Sequence, residues 1–259
     1  MPKFERYIGI DYSGAESPTA SLKGLRVYEA YPSTLASEVL PPPGPRKYWT
    51  RQGIAKWLVR ELAGCTPTMV GIDHGFSFPV QYFERHGLAL NWDAFLEDFV
   101  SHWPTHEDRV SVDFVRRGSV GLGASRSGDA RWRRECDLRC RAKSVFHFDV
   151  QGSVAKSTHS GIPWLWQIRK QFGNRVHFWP FDGWDVPLDK PVVLEAYPAL
   201  YKRDYPVEDR TPDQHDAFSI ASWLRDADAH GHLKGALDPD LSSSLREQAE
   251  VEGWILGVQ

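Results

Sequence analysis

The chain has 259 residues, 41% of them hydrophobic, which is enough for one large domain or two small ones with a sizeable core. Its net charge of -3 excludes an all-over polyanion-binding surface, so any nucleic-acid face has to be a local patch. Three cysteines make no complete disulfide framework, no long uncharged apolar run spells a membrane span, and the first six residues lack a signal-peptide core, so a cytoplasmic protein with no membrane partner is expected.

The apolar run Tyr7-Ile8-Gly9-Ile10 ends on Asp11 and is followed by Ser13 and Gly14. It reads as a buried strand that delivers a carboxylate to the rim of a sheet and then turns. Residues 25–30 alternate like a half-exposed strand, and residues 36–40 form a short third one. The proline run 41–45 is a stiff connector. Thr50 is the predicted N-cap of a helix whose face is Ile54, Trp57, Leu58 and Leu62, closed by Gly64. Residues 69–73 then repeat the first pattern and end on Asp73. A helix between the third and fourth strands suits a crossover that makes the fourth parallel to the first, which places Asp11 beside Asp73.

Residues 76–150 read as an insertion within a single domain. Pro79 opens a short helix ending at Gly87. Asn91 caps another, with Trp92, Phe95, Leu96, Phe99 and Trp103 on one face and Pro104 as its stop. Residues 116–128, rich in glycine and serine, predict a mobile loop, and Asp129 caps a basic helix running to about residue 143. Residues 144–148 are a possible strand. From residue 116 to 143 there are nine arginines and lysines against three acids, with Trp132 among them. Such a stretch beside an acidic site suits a backbone clamp for nucleic acid, through Arg116, Arg117, Arg126, Arg131 and Arg134. The competing reading is a solvated helix with internal ion pairs.

The core pattern resumes with a helix opened by Pro163, having Leu165, Trp166, Ile168 and Phe172 on its apolar face. Short strands follow at 176–179 and 192–198, the latter carrying Glu195. Thr211-Pro212-Asp213-Gln214 is a capping-box start for a helix to Gly231, with Asp216 in its first turns. Residues 242–252 form a last helix. Cys136 and Cys140 are one helical turn apart but have no paired motif to complete a zinc site.

Four acids thus stand at element ends or helix starts: Asp11, Asp73, Glu195 and Asp216. Clustered carboxylates hold Mg2+ or Mn2+, and two such ions about 4 Å apart activate water on one side and steady a leaving oxygen on the other. The ordered set Gly9-Ile10-Asp11-Tyr12-Ser13-Gly14-Ala15, Gly71-Ile72-Asp73, Glu195-Ala196-Tyr197-Pro198 and His215-Asp216-Ala217 resembles the ribonuclease H-like superfamily. Within that superfamily it looks like the predicted-nuclease family catalogued as domain of unknown function four-two-nine. The resemblance spans roughly residues 7–231. It implies an α/β fold with a mixed five-stranded sheet, a three-strand meander followed by parallel strands, and helices on both faces; the long α-helical insertion departs from that pattern. It also implies Asp11, Asp73 and Asp216 as metal ligands, Glu195 as a further catalytic member, two Mg2+ or Mn2+ ions, and hydrolysis of phosphodiester bonds of DNA or RNA. The competing functions are an actin-like ATPase or sugar kinase, and a nucleic-acid-binding module without catalysis.

Overall fold

In the computed structural model, which describes residues 3–259, the first strand explains the layout. In β1 (Arg6–Asp11), successive side chains point to opposite faces, and both faces are covered. Ile8 and Ile10 join one hydrophobic core, while Tyr7 joins the other. β2 (Arg26–Tyr31) pairs antiparallel with β1, and β3 (Thr34–Glu38) antiparallel with β2. α1 (Arg51–Leu62), capped by the Thr50 hydroxyl, crosses over to β4 (Thr68–Asp73), which lies parallel to β1. α2 (Val80–His86), α3 (Trp92–His102), α4 (Val112–Arg116) and α5 (Glu135–Arg139) precede the long α6 (Ala155–Phe172). β5 (His177–Phe178) and β6 (Val192–Glu195) complete the sheet, before α7 (Pro212–Ala229), α8 (Leu233–Leu237) and α9 (Ser243–Glu252).

The strand order is β3-β2-β1-β4-β6-β5, with β1, β4, β6 and β5 all parallel. The sheet therefore has six strands, not five; the extra one is the two-residue β5 on the edge beside β6. α1 and α6 contribute to one core, and α7 with α8 and α9 to the other. α7 lies almost on the backbone of the sheet. A Cβ on Gly9 would stand 2.2 Å from the Ala217 carbonyl oxygen, and one on Gly71 would stand 2.6 Å from Ile220 Cγ2. Those two glycines let the first turns of α7 reach the rim where β1 and β4 end.

Three expectations are corrected. The basic helix over residues 129–143 is reduced to α5, because Arg134 turns inward before it and Arg141 leaves it in the left-handed region at φ 58°. Residues 144–148 turn rather than extend: His147 N–H donates to the Ser144 carbonyl and Phe146 N–H to the Ser144 hydroxyl. α6 begins at Ala155, eight residues before Pro163, which lies inside it. Its first turns are small or polar but buried (Ala155, Ser157, Ser160, Gly161), so apolar periodicity does not reveal them. Among the described residues no helix is long and apolar enough to cross a membrane, and Cys65, Cys136 and Cys140 are free thiols.

Candidate active site

Parallel pairing puts Asp11 directly opposite Asp73, the last residues of neighbouring strands. Residues in register share a face, so both carboxylates stand on the α7 side of the sheet, as Gly9 and Gly71 do. Both are pushed to higher pKa. For Asp11 the causes are burial, then Asp73, Asp213 and Asp216; for Asp73, raised to about 8, they are burial, then Asp216 and Glu195. Lys202 opposes the shift in each case.

Asp216 arrives from α7, whose start is fixed by the predicted capping box: the Gln214 N–H donates to the Thr211 hydroxyl, and the Thr211 N–H donates to the Gln214 side chain. Lys202 Nζ bonds both Asp216 oxygens, at 2.9 and 3.2 Å. His215, the neighbour of Asp216, donates its Nε2 proton to the Lys202 carbonyl at 3.1 Å and so holds the backbone of that lysine.

Glu195 takes a different place. Its register partner is Ile72, not Asp73, so it leaves the sheet on the opposite face. There Arg134 donates to both of its oxygens, at 2.6 Å each, and the Phe76 N–H donates at 3.1 Å. The same guanidinium bonds both oxygens of Asp137 at 2.9 and 3.0 Å. Glu195, expected as a catalytic member, and Arg134, expected to bind substrate, both line the cleft beside Asp73 and are bound to each other there. At 5% and 1% exposure, with their charges satisfied by each other, they fasten the insertion to the sheet. α9 adds a second fastening: its Glu252 accepts from the first N–H groups of α2 and α5, at Val80 and Glu135.

Three arginines of the expected basic clamp are ion-paired. Arg116 pairs with Asp149, Arg126 with Asp98 and Arg131 with Asp129. Arg117 is exposed at the C-cap of α4, with no carboxylate partner among the described residues. The cations that line the cleft beside Asp73 are Arg134, Arg141 and Lys143, the last two of them exposed. They form a cleft of about 140 Å3 with Asp73, His74, Asp137, Glu195 and Tyr197. Sequence reading included Arg141 and Lys143 only in a charge total; the turn after α5, which aims them, has no distinctive sequence signal.

His74 lies in the cleft floor. Its Nδ1–H donates to the Gly75 carbonyl at 2.8 Å, and its ring packs against Tyr12 and so close to Gly161 that a Cβ there would stand 2.4 Å from Nε2. Burial pulls its pKa down to about 4, so the ring is neutral.

The donor chemistry suits a hard divalent cation: carboxylate oxygens from separate strands, with no ion-pair contact among the described residues and mutually repelling. Asp11 and Asp73 fit as ligands as they stand, while Asp216 is held by Lys202. Among the described residues no three acidic, histidine or cysteine side chains already converge on one point. No protein-family model, curated protein or solved structure matches the chain.

Proposed function

We propose that the chain is a divalent-metal-dependent nuclease with a ribonuclease H-like fold. One observation carries this reading: two unpaired carboxylates held side by side at the ends of parallel neighbouring strands. The order of a three-strand meander followed by parallel strands supports the fold assignment.

Asp11 and Asp73 would hold Mg2+ or Mn2+, and Asp216 would join them on release from Lys202. When bound, such an ion supplies Lewis-acid activation of water and charge compensation at the phosphate. The protein's own groups do the positioning. Arg141 and Lys143 hold phosphate oxygens from the wall of the cleft, as point charges that carry no sequence information. Lys202, held at its backbone by His215, is within reach of the acids and can carry its ammonium from Asp216 to the substrate phosphate. Glu195 and Arg134, which line the same cleft, keep that wall in place.

The test is cleavage of a panel of single-stranded, duplex, hybrid and branched nucleic acids with Mn2+, in the wild type and in Asp73→Asn. Cleavage dependent on the metal and lost in the variant is expected. Cleavage that persists in the variant removes the assignment.

A further inference from the structure

The segment that joins β6 to α7 reaches Asp216 with one side chain, that of Lys202. The lysine opens a single 3-10 turn, Lys202–Asp204. Its backbone is tied down, because His215, itself buried, donates to the Lys202 carbonyl at 3.1 Å. Its side chain is free to move: it is 39% exposed, on a flexible four-carbon stem that ends in a single charge. From there the ammonium bonds both Asp216 oxygens, at 2.9 and 3.2 Å.

Packing holds Asp216 near the other two acids. The next residue, Ala217, has its carbonyl against Gly9, and Gly9 shares a face of β1 with Asp11. The Asp216 charge raises the pKa of both Asp11 and Asp73, and the Lys202 charge lowers both, so the four groups stand within one another's field. The chain thus supplies one cation to three acids, and that cation is hydrogen-bonded to Asp216. A hard divalent ion takes carboxylate oxygens of the same kind. Held by one carboxylate, the ion and the ammonium would repel at short range, and the group on the flexible stem is the one that can leave.

We propose that Lys202 is a tethered counter-ion that holds Asp216 until a divalent cation displaces it. This rests on the reading of Asp11 and Asp73 as metal ligands and adds a control on loading: the third ligand is offered only to an ion that outcompetes the lysine. Such a lock weakens the apparent metal affinity in proportion to the time that it is closed. A part-exposed ion pair that is closed about five times as often as open corresponds to about 1 kcal/mol, and removing it tightens metal binding by about that factor.

The experiment needs no substrate and reads no activity. The full chain is titrated with Mn2+ by calorimetry, as wild type, Lys202→Met and Asp73→Asn, and crystals of the wild type soaked in Mn2+ are read for the anomalous peak. Lys202→Met keeps most of the stem, removes the charge, and is expected to bind Mn2+ about fivefold more tightly than wild type. A lysine that only braced its segment would weaken metal binding when removed. A lysine that acted only through its field would also tighten binding on removal, and the crystal separates that case. There the Mn2+ is expected in contact with Asp216, with Lys202 Nζ out of hydrogen-bond reach of its carboxylate. Mn2+ held by Asp11 and Asp73 with the Lys202–Asp216 pair intact, or an affinity in Lys202→Met no higher than in wild type, overturns the lock and leaves the metal reading standing. Failure of both wild type and Lys202→Met to bind Mn2+, or binding undiminished in Asp73→Asn, overturns the metal reading and the lock with it.

Discussion

Replacing Asp73 by asparagine tests the site through stability as well as activity. The substitution keeps the shape and removes one of two like charges held in register. Neighbouring strands lie about 4.8 Å apart. Two unit charges about 5 Å apart repel by about 3 kcal/mol at an effective dielectric constant of about 20, and water at the open rim reduces this to about 1–3 kcal/mol. The folded pKa of Asp73 is about 8, against an unfolded value of about 3.9. Between these values the folded state holds a proton that the unfolded chain has released. The contribution of Asp73 to wild-type stability is therefore fullest below about pH 4, falls as pH rises to about 8, and levels off above. The asparagine has no such proton, so Asp73→Asn becomes the more stable protein across that window. At about pH 8.5 its melting temperature rises by several degrees, at about 2–4 °C per kcal/mol for a chain of this size. A divalent cation acts in the opposite direction. At about 10 mM and a Kd of about 1 mM it stabilises the wild type by about 1.4 kcal/mol and the variant by much less. Thermal melts at about pH 5 and about pH 8.5, each with Mg2+ or chelator, read both effects. A variant no more stable than wild type at the higher pH, or one equally stabilised by Mg2+, refutes the uncompensated-pair account.

Two further predictions concern the charges around the site. Arg134→Met leaves Glu195 and Asp137 buried without their cation and is expected to cost about 3–5 kcal/mol, lowering the melting temperature by about 10 °C; a denaturant melt that moves by less than about 1 kcal/mol refutes the fastening role. Arg141→Ala combined with Lys143→Ala leaves the melting temperature within a degree or so, because both side chains are exposed. It flattens the salt dependence of nucleic-acid binding by about one log unit per lost charge, whereas Arg126→Gln leaves the slope alone; equal slopes in all three proteins refute the reassignment of the cleft's cations.

The pairing of Asp11 with Asp73 was legible in the sequence because two apolar runs end alike and a helix intervenes. The caps at Thr50, Asn91 and Thr211 were legible because capping is local chemistry, satisfied within three residues. What escaped depends on register and on long-range pairing. Nothing in Val192-Val193-Leu194-Glu195 says that Glu195 lies opposite Ile72 and not Asp73, yet that one-residue offset turns it to the other face. Likewise, nothing in the arginine-rich stretch says which cation will be buried. Arg134 is distinguished from Arg131 and Arg133 by a partner 61 residues away. The start of α6 escaped for a different reason: its buried face is small and polar, packed against His74 and the Gly75 turn rather than against aliphatic side chains.

The distribution of compensated and uncompensated charge separates structural from functional groups in this molecule. Five of the insertion's arginines meet acids: Arg116 with Asp149, Arg126 with Asp98, Arg131 with Asp129, Arg139 with Glu135, and Arg134 with two at once. A fold that neutralises five arginines in one segment has acids to spare for such work, and yet it sets Asp11 and Asp73 against each other at the sheet's rim. That arrangement raises the energy of the folded state and gives the hydrophobic core nothing in return, as is usual for groups whose partner arrives from outside. The facing wall shows the complementary pattern, since Arg141 and Lys143 have no carboxylate partner among the described residues and line the same cleft as Asp73. An unmatched Asp73 on one wall and unmatched bases on the other fit a cation and a phosphate bound together, each offsetting the charge that the fold left open on its own side.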